Sequence, residues 1–201
     1  MRQIFIVTLL IIPIVMSCEK DDFQNDCRNR FYYYNSEKIM LTEIPYQGSV
    51  SFYDTLAAET IHQIMEQYQG IRVLSVLSNS NRAVIAVESE NCNAADKLLA
   101  AVKSDSRIRN CSKFLVSDKG FTLGITDVFV CRLKSSASPD QIAALINDNQ
   151  VEIVKADHSG YYLLSVDKNC NGDALDLANK FFESGFFDYA EPEWIANYGT
   201  Y

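Results

Sequence analysis

The feature that most constrains the fold of this chain is a pattern of strands and helices that occurs twice. The first occurrence reads strand, helix, strand, strand, helix, strand. Its strands are predicted at residues 50–53, 71–77, 83–87 and 108–116. Its helices carry apolar stripes at helical spacing, formed first by Ala57, Ile61, Ile64, Met65 and Tyr68 and then by Ala95, Leu98, Leu99 and Val102.

The second occurrence repeats this order, with strands predicted at 127–133, 151–156, 161–166 and 186–196. Its first helix opens at Ser138-Pro139-Asp140-Gln141, where serine caps, proline takes the first turn and glutamine completes a capping box. Its second helix has a stripe of Ala174, Leu177, Ala178, Phe181 and Phe182 and is predicted to end at Gly185 in the left-handed conformation.

Two repeats of this order predict an α+β protein made of two tandem ferredoxin-like (βαββαβ) sandwich units. The last strand of such a unit lies at a sheet edge, and Pro192, which donates no ladder hydrogen bond, is compatible only with an edge. Asn91-Cys92-Asn93 and Asn169-Cys170-Asn171 each precede a helix, which we interpret as a further sign of duplication. A β-hairpin over 31–43, turning at Asn35-Ser36, is predicted before the first unit.

The N-terminus is typical of an exported lipoprotein. Residues 1–17 form a signal peptide whose apolar run is too short to span a bilayer, and Val15-Met16-Ser17-Cys18 resembles a lipobox that would lipidate Cys18. This predicts anchoring to the outer membrane of a Gram-negative cell envelope, and the acidic residues 19–22 resemble a surface-export tag. The remaining divisions are a tether at 18–30, the hairpin and first unit at 31–118, the second unit at 124–197 and a tail at 198–201.

Charge and cysteine content exclude some classes of partner and cofactor. The net charge of −8 without a basic cluster disfavours nucleic acid. Five cysteines follow Cys18, so at least one has no partner within the chain, and their connectivity cannot be read from spacing. Cys92 and Cys170 could form a disulfide if the two units pack face to face. The favoured interpretation is that both are small turn residues inherited by duplication. No Cys-x-x-Cys occurs, so neither a metal site nor a cofactor is expected.

The C-terminal run of helix, Gly185 and strand, with Ala190-Glu191-Pro192-Glu193-Trp194-Ile195, resembles the end of the N-terminal prodomain of subtilisin-like serine proteases. Residues 31–39, Phe-Tyr-Tyr-Tyr-Asn-Ser-Glu-Lys-Ile, resemble the opening of that prodomain in lipid-anchored members, the fervidolysin-like prodomain. The resemblance therefore covers nearly all of the chain after Cys18. The Asp, His and Ser motifs of the family's catalytic domain are not found in the sequence.

The resemblance implies a non-catalytic protein that binds a subtilisin-like protease as inhibitor or folding chaperone. In the family the prodomain packs its sheet on the protease, and its C-terminal segment enters the active-site groove as an added strand. By that reasoning Tyr201 would fill the first pocket of the groove and Tyr198 the fourth. The residues expected to contact the partner are Glu191, Glu193, Trp194, Tyr198, Gly199, Thr200 and Tyr201.

Other functions remain open at the level of sequence. Asp157-His158-Ser159 suggests a catalytic triad, but three neighbours in a tight turn cannot align acid, base and nucleophile, so a polar turn closed by Gly160 is predicted and no catalytic residue is assigned. The alternative function is a surface adhesion or assembly module that presents the tyrosine-rich hairpin to a non-protease partner. A sensor that binds a small molecule between the two units is a weaker alternative.

Overall fold

A computed structural model describes residues 26–77 and 81–196, which form an α+β structure of four helices and one antiparallel sheet. The elements of the first half are β1 (Asn29–Tyr34), β2 (Glu37–Phe52), α1 (Ala58–Met65), β3 (Ile71–Val76), β4 (Arg82–Val87), α2 (Cys92–Lys103) and β5 (Ile108–Ser117). Those of the second half are β6 (Thr122–Leu133), α3 (Pro139–Asn149), β7 (Glu152–Ala156), β8 (Tyr161–Ser165), α4 (Ala174–Glu183) and β9 (Phe187–Ala196). None of the helices in these ranges has the length and apolarity needed to cross a bilayer.

The strand order through the sheet is β3-β4-β2-β5-β6-β8-β7, with β1 paired to β2 and β9 paired to β6. The two halves are joined within the sheet where β5 meets β6, at Leu115↔Leu123 and Val116↔Thr122. A Cβ on Gly124 would lie 2.3 Å from the ring of Phe114, so only glycine allows this close approach. The described pairings of β9 are with β6 alone, and the predicted edge position of Pro192 is confirmed.

The predicted hairpin is confirmed, because Asn35 and Ser36 both have positive φ, as a type I′ turn requires. The predicted separate strand at 50–53 is wrong, however. Residues 37–52 form one strand, β2, which pairs with β1 at its start and with β4 towards its end. An irregularity between Glu43 and Gly48, around Pro45, lets this strand change direction without ending.

Local capping accounts for where the later helices begin and end. The capping box at Ser138 is present on α3, and Asp173 caps α4 by accepting hydrogen bonds from the amides of Leu175 and Asp176. Gly185 follows the C-cap of α4 with φ +79°, as predicted. Asn91 itself caps α2, whereas Asn169-Cys170-Asn171 lies before the N-cap Asp173, so the two triplets do not occupy equivalent positions.

Each half has its own core beneath its helices, but the core of the second half also contains residues of the first half. The core of the first half includes Val50, Phe52, Ile61 and Ile85. The core of the second half is built around Phe129, Leu164, Phe181 and Phe187, and it also contains Leu41 of β2 and Leu115 of β5. Strands β2 and β5 therefore serve both cores.

The sheet face of the first half that points away from its helices is covered by the second half. The hydroxyl of Ser49 donates to the carbonyl of Ile125 at 2.6 Å, and both residues are buried. Beside this contact, Val84 and Phe114 form a small apolar cluster that Ile195 of β9 joins.

A buried carboxylate, that of Asp127, ties the halves together. Asp127 of β6 is 4% exposed and binds Arg82 of β4 at 2.7 Å and Arg109 of β5 at 3.2 Å, while the Ser51 hydroxyl donates to it at 3.1 Å. Since the carboxylate comes from one half and its three partners from the other, the pairing holds the halves in one orientation.

A second buried carboxylate is that of Glu43, which is 3% exposed. It binds Lys113 at 2.8 Å and Arg28 at 3.1 Å. Arg30 of β1 lies 3.9 Å from the same carboxylate. Its guanidinium donates two hydrogen bonds, of 2.6 and 2.8 Å, to Asp173 at the start of α4. This network attaches the N-terminal strand to both halves.

The predicted tether at 18–30 is wrong for its last five residues, which belong to the fold. Asp26 accepts hydrogen bonds from the amides of Cys92 and Asn93 at 3.1 and 2.8 Å, and Cys27 forms a disulfide with Cys92. The proposed option of a Cys92–Cys170 bond is thereby excluded. Cys111, Cys131 and Cys170 are free thiols.

Candidate functional site

The sheet of the second half has one face under its helices and one face without a helix. Residues on the helical side are buried in the core, including Phe129, Cys131, Leu164 and Ala190. Strand pairing places the alternate residues on the opposite side. One row is Tyr189, Arg132 and Tyr161, and the next is Glu191, Val130, Leu163 and Lys155. We call these seven residues the open face.

The open face is partly shielded and partly accessible. Its two tyrosines, Val130 and Leu163 are half-buried, while Arg132 and Lys155 are exposed. The rows therefore form an apolar and aromatic surface bordered by charge. Where the same side of the sheet continues to Val128 and Ser165, it is buried against the first half, so the open face is the part that remains accessible.

Electrostatics on the open face reflect this partial burial. Burial raises the pKa of Tyr189, the nearby Tyr161 adds to that increase, and Arg132 opposes it. Burial also raises the pKa of Glu191, because desolvation disfavours the charged carboxylate. A cation brought by a partner would stabilise this partly desolvated carboxylate.

The residues predicted from sequence to contact a partner lie on different sides of β9. Glu191 is on the open face. Glu193 is exposed and binds Arg82 of the first half at 2.7 Å. Trp194 lies on the core side, where its ring meets that of Tyr32 edge to face at 5.2 Å. The predicted contact residues Tyr198, Gly199, Thr200 and Tyr201, and the lipidation residue Cys18, lie outside the described residues.

The tyrosine-rich hairpin provides a second accessible surface. Tyr34, Met40 and Phe121 are 53%, 50% and 64% exposed and border a cleft of about 510 Å³ between the hairpin and the β5–β6 turn. The ammonium group of Lys38 lies 4.2 Å from the ring centre of Phe31 on the same hairpin. We call Tyr34, Met40 and Phe121 the hairpin patch.

The turn 157–160 has the polar structure predicted for it. A carboxylate oxygen of Asp157 accepts hydrogen bonds from the amide and hydroxyl of Ser159 and from the amide of Tyr161. These bonds lower the pKa of Asp157, chiefly through the Ser159 hydroxyl. His158 is exposed, and Gly160 closes the turn with φ +79°. The aspartate therefore stabilises the turn itself.

A group with the composition of a metal site occurs at the N-terminus of α2. Asp26, Cys27 and Cys92 place their ligand atoms within 4.8 Å of one another. The two sulfurs, however, are bonded to each other, so they do not offer the thiolates that a soft metal would require.

Sequence reasoning did not identify Arg132, Tyr161 and Tyr189 as a surface. The available signal was the alternation of residues along 128–132 and 161–165, which separates two faces. To place the three side chains in one row also requires knowing that β8 and β9 flank β6, which is a long-range property.

Comparisons with known proteins give little support for an assignment. No protein-family model and no curated protein matches this chain. Among solved structures, the chain is similar to one assigned as a glycine cleavage system transcriptional repressor, with 11% sequence identity and a TM-score of 0.24, covering 75% of this chain and 96% of that chain.

Proposed function

We propose that the chain is a duplicated pair of ferredoxin-like units that acts as a non-catalytic, prodomain-like binder of a subtilisin-like serine protease. The duplication is supported by equivalent details in the two halves. The strand orders are β5-β2-β4-β3 in the first half and β9-β6-β8-β7 in the second. In both halves the order across the sheet is therefore fourth, first, third and second strand. Gly70 and Gln150 both adopt positive φ just before an edge strand.

Matching irregularities in the equivalent edge strands support duplication further. In β3 the register shifts between Val73 and Ser75, and in β7 it shifts between Ile153 and Lys155. The extra residues, Leu74 and Val154, are 45% and 55% exposed. A shared bulge at the same place in two strands is a specific structural feature, and it is a stronger sign of common origin than the two Asn-Cys-Asn triplets.

The observation that carries the proposed binding function is the asymmetry between the two sheet faces. The first half buries the part of its helix-free face on β2, β4 and β5 against the second half, whereas the open face of the second half remains accessible. The family that the sequence resembles uses this face of its prodomain to contact the protease. In addition β9, which flanks the open face, leads directly into residues 197–201, the segment proposed to enter the protease groove.

The open face has the composition of a protein-binding surface. Tyrosines supply large contact area at low entropic cost, and such aromatic anchors contribute on the order of 2 kcal/mol each when a partner buries them. Arg132 and Glu191 at the margin would set the orientation of the partner by charge. The C-terminal segment would add strand pairing in the groove.

Inhibition kinetics with a panel of subtilisin-like proteases test the proposal. The chain should slow at least one of them. Tyr161→Ala and Tyr189→Ala should each weaken inhibition about 30-fold, corresponding to roughly 2 kcal/mol. Removal of residues 198–201 should abolish it. Tyr46→Ala is the matched control, because Tyr46 is 61% exposed but lies away from the open face. No inhibition across the panel, or equal losses in the control, would refute the protease assignment.

We also propose that the chain is exported and anchored through a lipid on Cys18 to the outer membrane of a Gram-negative bacterium. The Cys27–Cys92 disulfide supports export, since disulfides persist in oxidising compartments such as the envelope. Metabolic labelling with a fatty acid should label the chain, and Cys18→Ser should remove the label and release the protein from membranes. A labelled Cys18→Ser variant would contradict lipidation at this residue.

The hairpin patch favours a second candidate function, an adhesion or assembly module that binds a non-protease protein. Three large, exposed side chains border one cleft there, and an apolar cluster of this kind marks a site of protein interaction. This candidate predicts a partner whose binding is lost in Tyr34→Ala but retained after removal of residues 198–201. The protease proposal predicts the reverse pattern.

A further inference from the structure

Among the described residues, strand β7 is an unpaired sheet edge, and all five of its residues are exposed. It ends the strand order, and its described pairing is with β8 on one side only. Ile153 and Val154 are 48% and 55% exposed on this edge. An edge strand with exposed β-branched residues is a template for pairing with another strand.

The bulge in β7 places its two charged residues on the same side of the sheet. Glu152 pairs with Ser165 and Lys155 pairs with Leu163, and both partners belong to the side that carries the open face. In a regular strand, residues three apart would lie on opposite sides. Because Val154 is the extra residue, Glu152 and Lys155 instead lie on one side with opposite charges.

This arrangement makes β7 complementary to itself. If two copies pair β7 antiparallel about a two-fold axis, Glu152 of each copy can lie opposite Lys155 of the other, and Ile153 can lie opposite Val154. Glu152 is largely exposed even though it also binds Arg109 at 2.8 Å, so it remains accessible to a second cation. Two opposite-charge pairs and two apolar pairs would then form across one symmetric contact.

The equivalent edge of the first half lacks this complementarity. Strand β3 is also a free end of the strand order and carries the same bulge. Its residues at the positions of Glu152 and Lys155 are Arg72 and Ser75, so self-pairing would offer no charge pairs. Strands β3 and β7 therefore share the bulge but not the charge pattern. Self-complementary charges are a property of β7 and not of every edge strand in this fold.

We propose that β7 is a self-association edge, through which two copies of this chain form a dimer with a sheet continuous across the two-fold axis. The contact of two five-residue strands is smaller than the roughly 1,200 Å² typical of stable interfaces. The dimer is therefore weak and reversible, and it is favoured where copies are concentrated. This goes beyond the proposed protease binding and does not depend on it.

Zero-length carbodiimide crosslinking of the full chain tests the register directly. A mixture of ¹⁴N-labelled and ¹⁵N-labelled protein in detergent should give mixed-isotope peptides in which Glu152 is joined to Lys155, with a yield that rises with concentration. Absence of such peptides at all concentrations, together with a monomeric sedimentation profile, would overturn the proposal.

Exchanging the charges of Glu152 and Lys155 provides a second test of the proposed contact. Lys155→Glu and Glu152→Lys each place like charges opposite one another and should weaken self-association about tenfold. Mixing the two variants restores opposite charges and should restore association between them. Ser75→Glu in β3 is the matched control and should behave as the parent chain. Loss of association in Ser75→Glu, or no recovery on mixing, would place the contact elsewhere and overturn the assignment to β7.

Discussion

Single buried charges carry much of the specificity of this structure. Asp127 comes from the second half, and its partners Arg82, Arg109 and Ser51 come from the first. Removing a buried carboxylate leaves its cationic partners desolvated and without a counter-charge. The loss of stability is therefore larger than the net contribution of the ion pair itself.

Asp127→Ala should therefore lower the free energy of unfolding by about 3–5 kcal/mol. Urea denaturation monitored by circular dichroism measures this change. Asp54→Ala, at an exposed loop position, is the control and should change stability by less than about 0.5 kcal/mol. Equal effects in the two variants would show that the Asp127 contacts add no stability.

The free energy of unfolding should depend on pH through the ionisation of Asp173. Burial alone would raise the pKa of Asp173, but hydrogen bonds and charge attraction from Arg30 lower it below its usual value. A carboxyl whose pKa is lower in the folded state adds stability above its unfolded pKa of about 4, and this stability is lost as the pH falls through the folded pKa. Stability should thus decline below about pH 4, and Asp173→Asn should show a shallower decline in urea titrations across that range. An unchanged pH profile in Asp173→Asn would contradict the role given to Arg30.

At the scale of elements, local signals predicted most helices and strands, whereas contacts distant in sequence were not predictable. The capping box at Ser138 and the turn at Asn35-Ser36 depend on neighbours in the chain, and both were found from sequence. The continuity of β2 through Pro45 was missed, because pairing with β5 on the far side holds the strand together. The docking of Asp26 and Cys27 on α2 was missed for the same reason, since their partners lie far along the chain.

The candidate site was predictable to a similar degree. The position of Pro192 at an edge and the place of Glu191 beside it could be inferred from residue chemistry. The open face could not, because Arg132, Tyr161 and Tyr189 form a row only once three strands are in register.

The disulfide is the strongest single constraint on the N-terminal segment. It joins Cys27 to Cys92 across a sequence separation of 65 residues, which should stabilise the fold by about 4 kcal/mol by restricting the unfolded chain. Cys27→Ser should lower the urea midpoint accordingly. Cys170→Ser is the matched control, because this thiol is free and half-buried. A parent chain whose midpoint does not change on reduction would contradict the prediction.

At the scale of the whole molecule, the two halves behave as one structure. They share β2 and β5 between two cores, bury Asp127 at their interface and continue one sheet through β5 and β6. Such mutual dependence favours a single cooperative transition.

Trp194 is the one tryptophan of the chain and packs against Tyr32, so its fluorescence reports the docking of the hairpin on the second half. The unfolding curve from this fluorescence should coincide with the curve from far-ultraviolet circular dichroism, which reports both halves. A fluorescence transition at clearly lower urea would mean that the hairpin and β9 separate before the rest unfolds.

The long strand β2 has a consequence for how the molecule is made. Its first residues include Leu41, but the core that Leu41 completes needs α4 and β9, which lie far along the chain. Until α4 and β9 have formed, the aromatic side chains of the hairpin that pack on them therefore stay uncovered. A cut between β5 and β6 would likewise fail to give two self-sufficient pieces, since the downstream fragment would lack the strand that closes its interior.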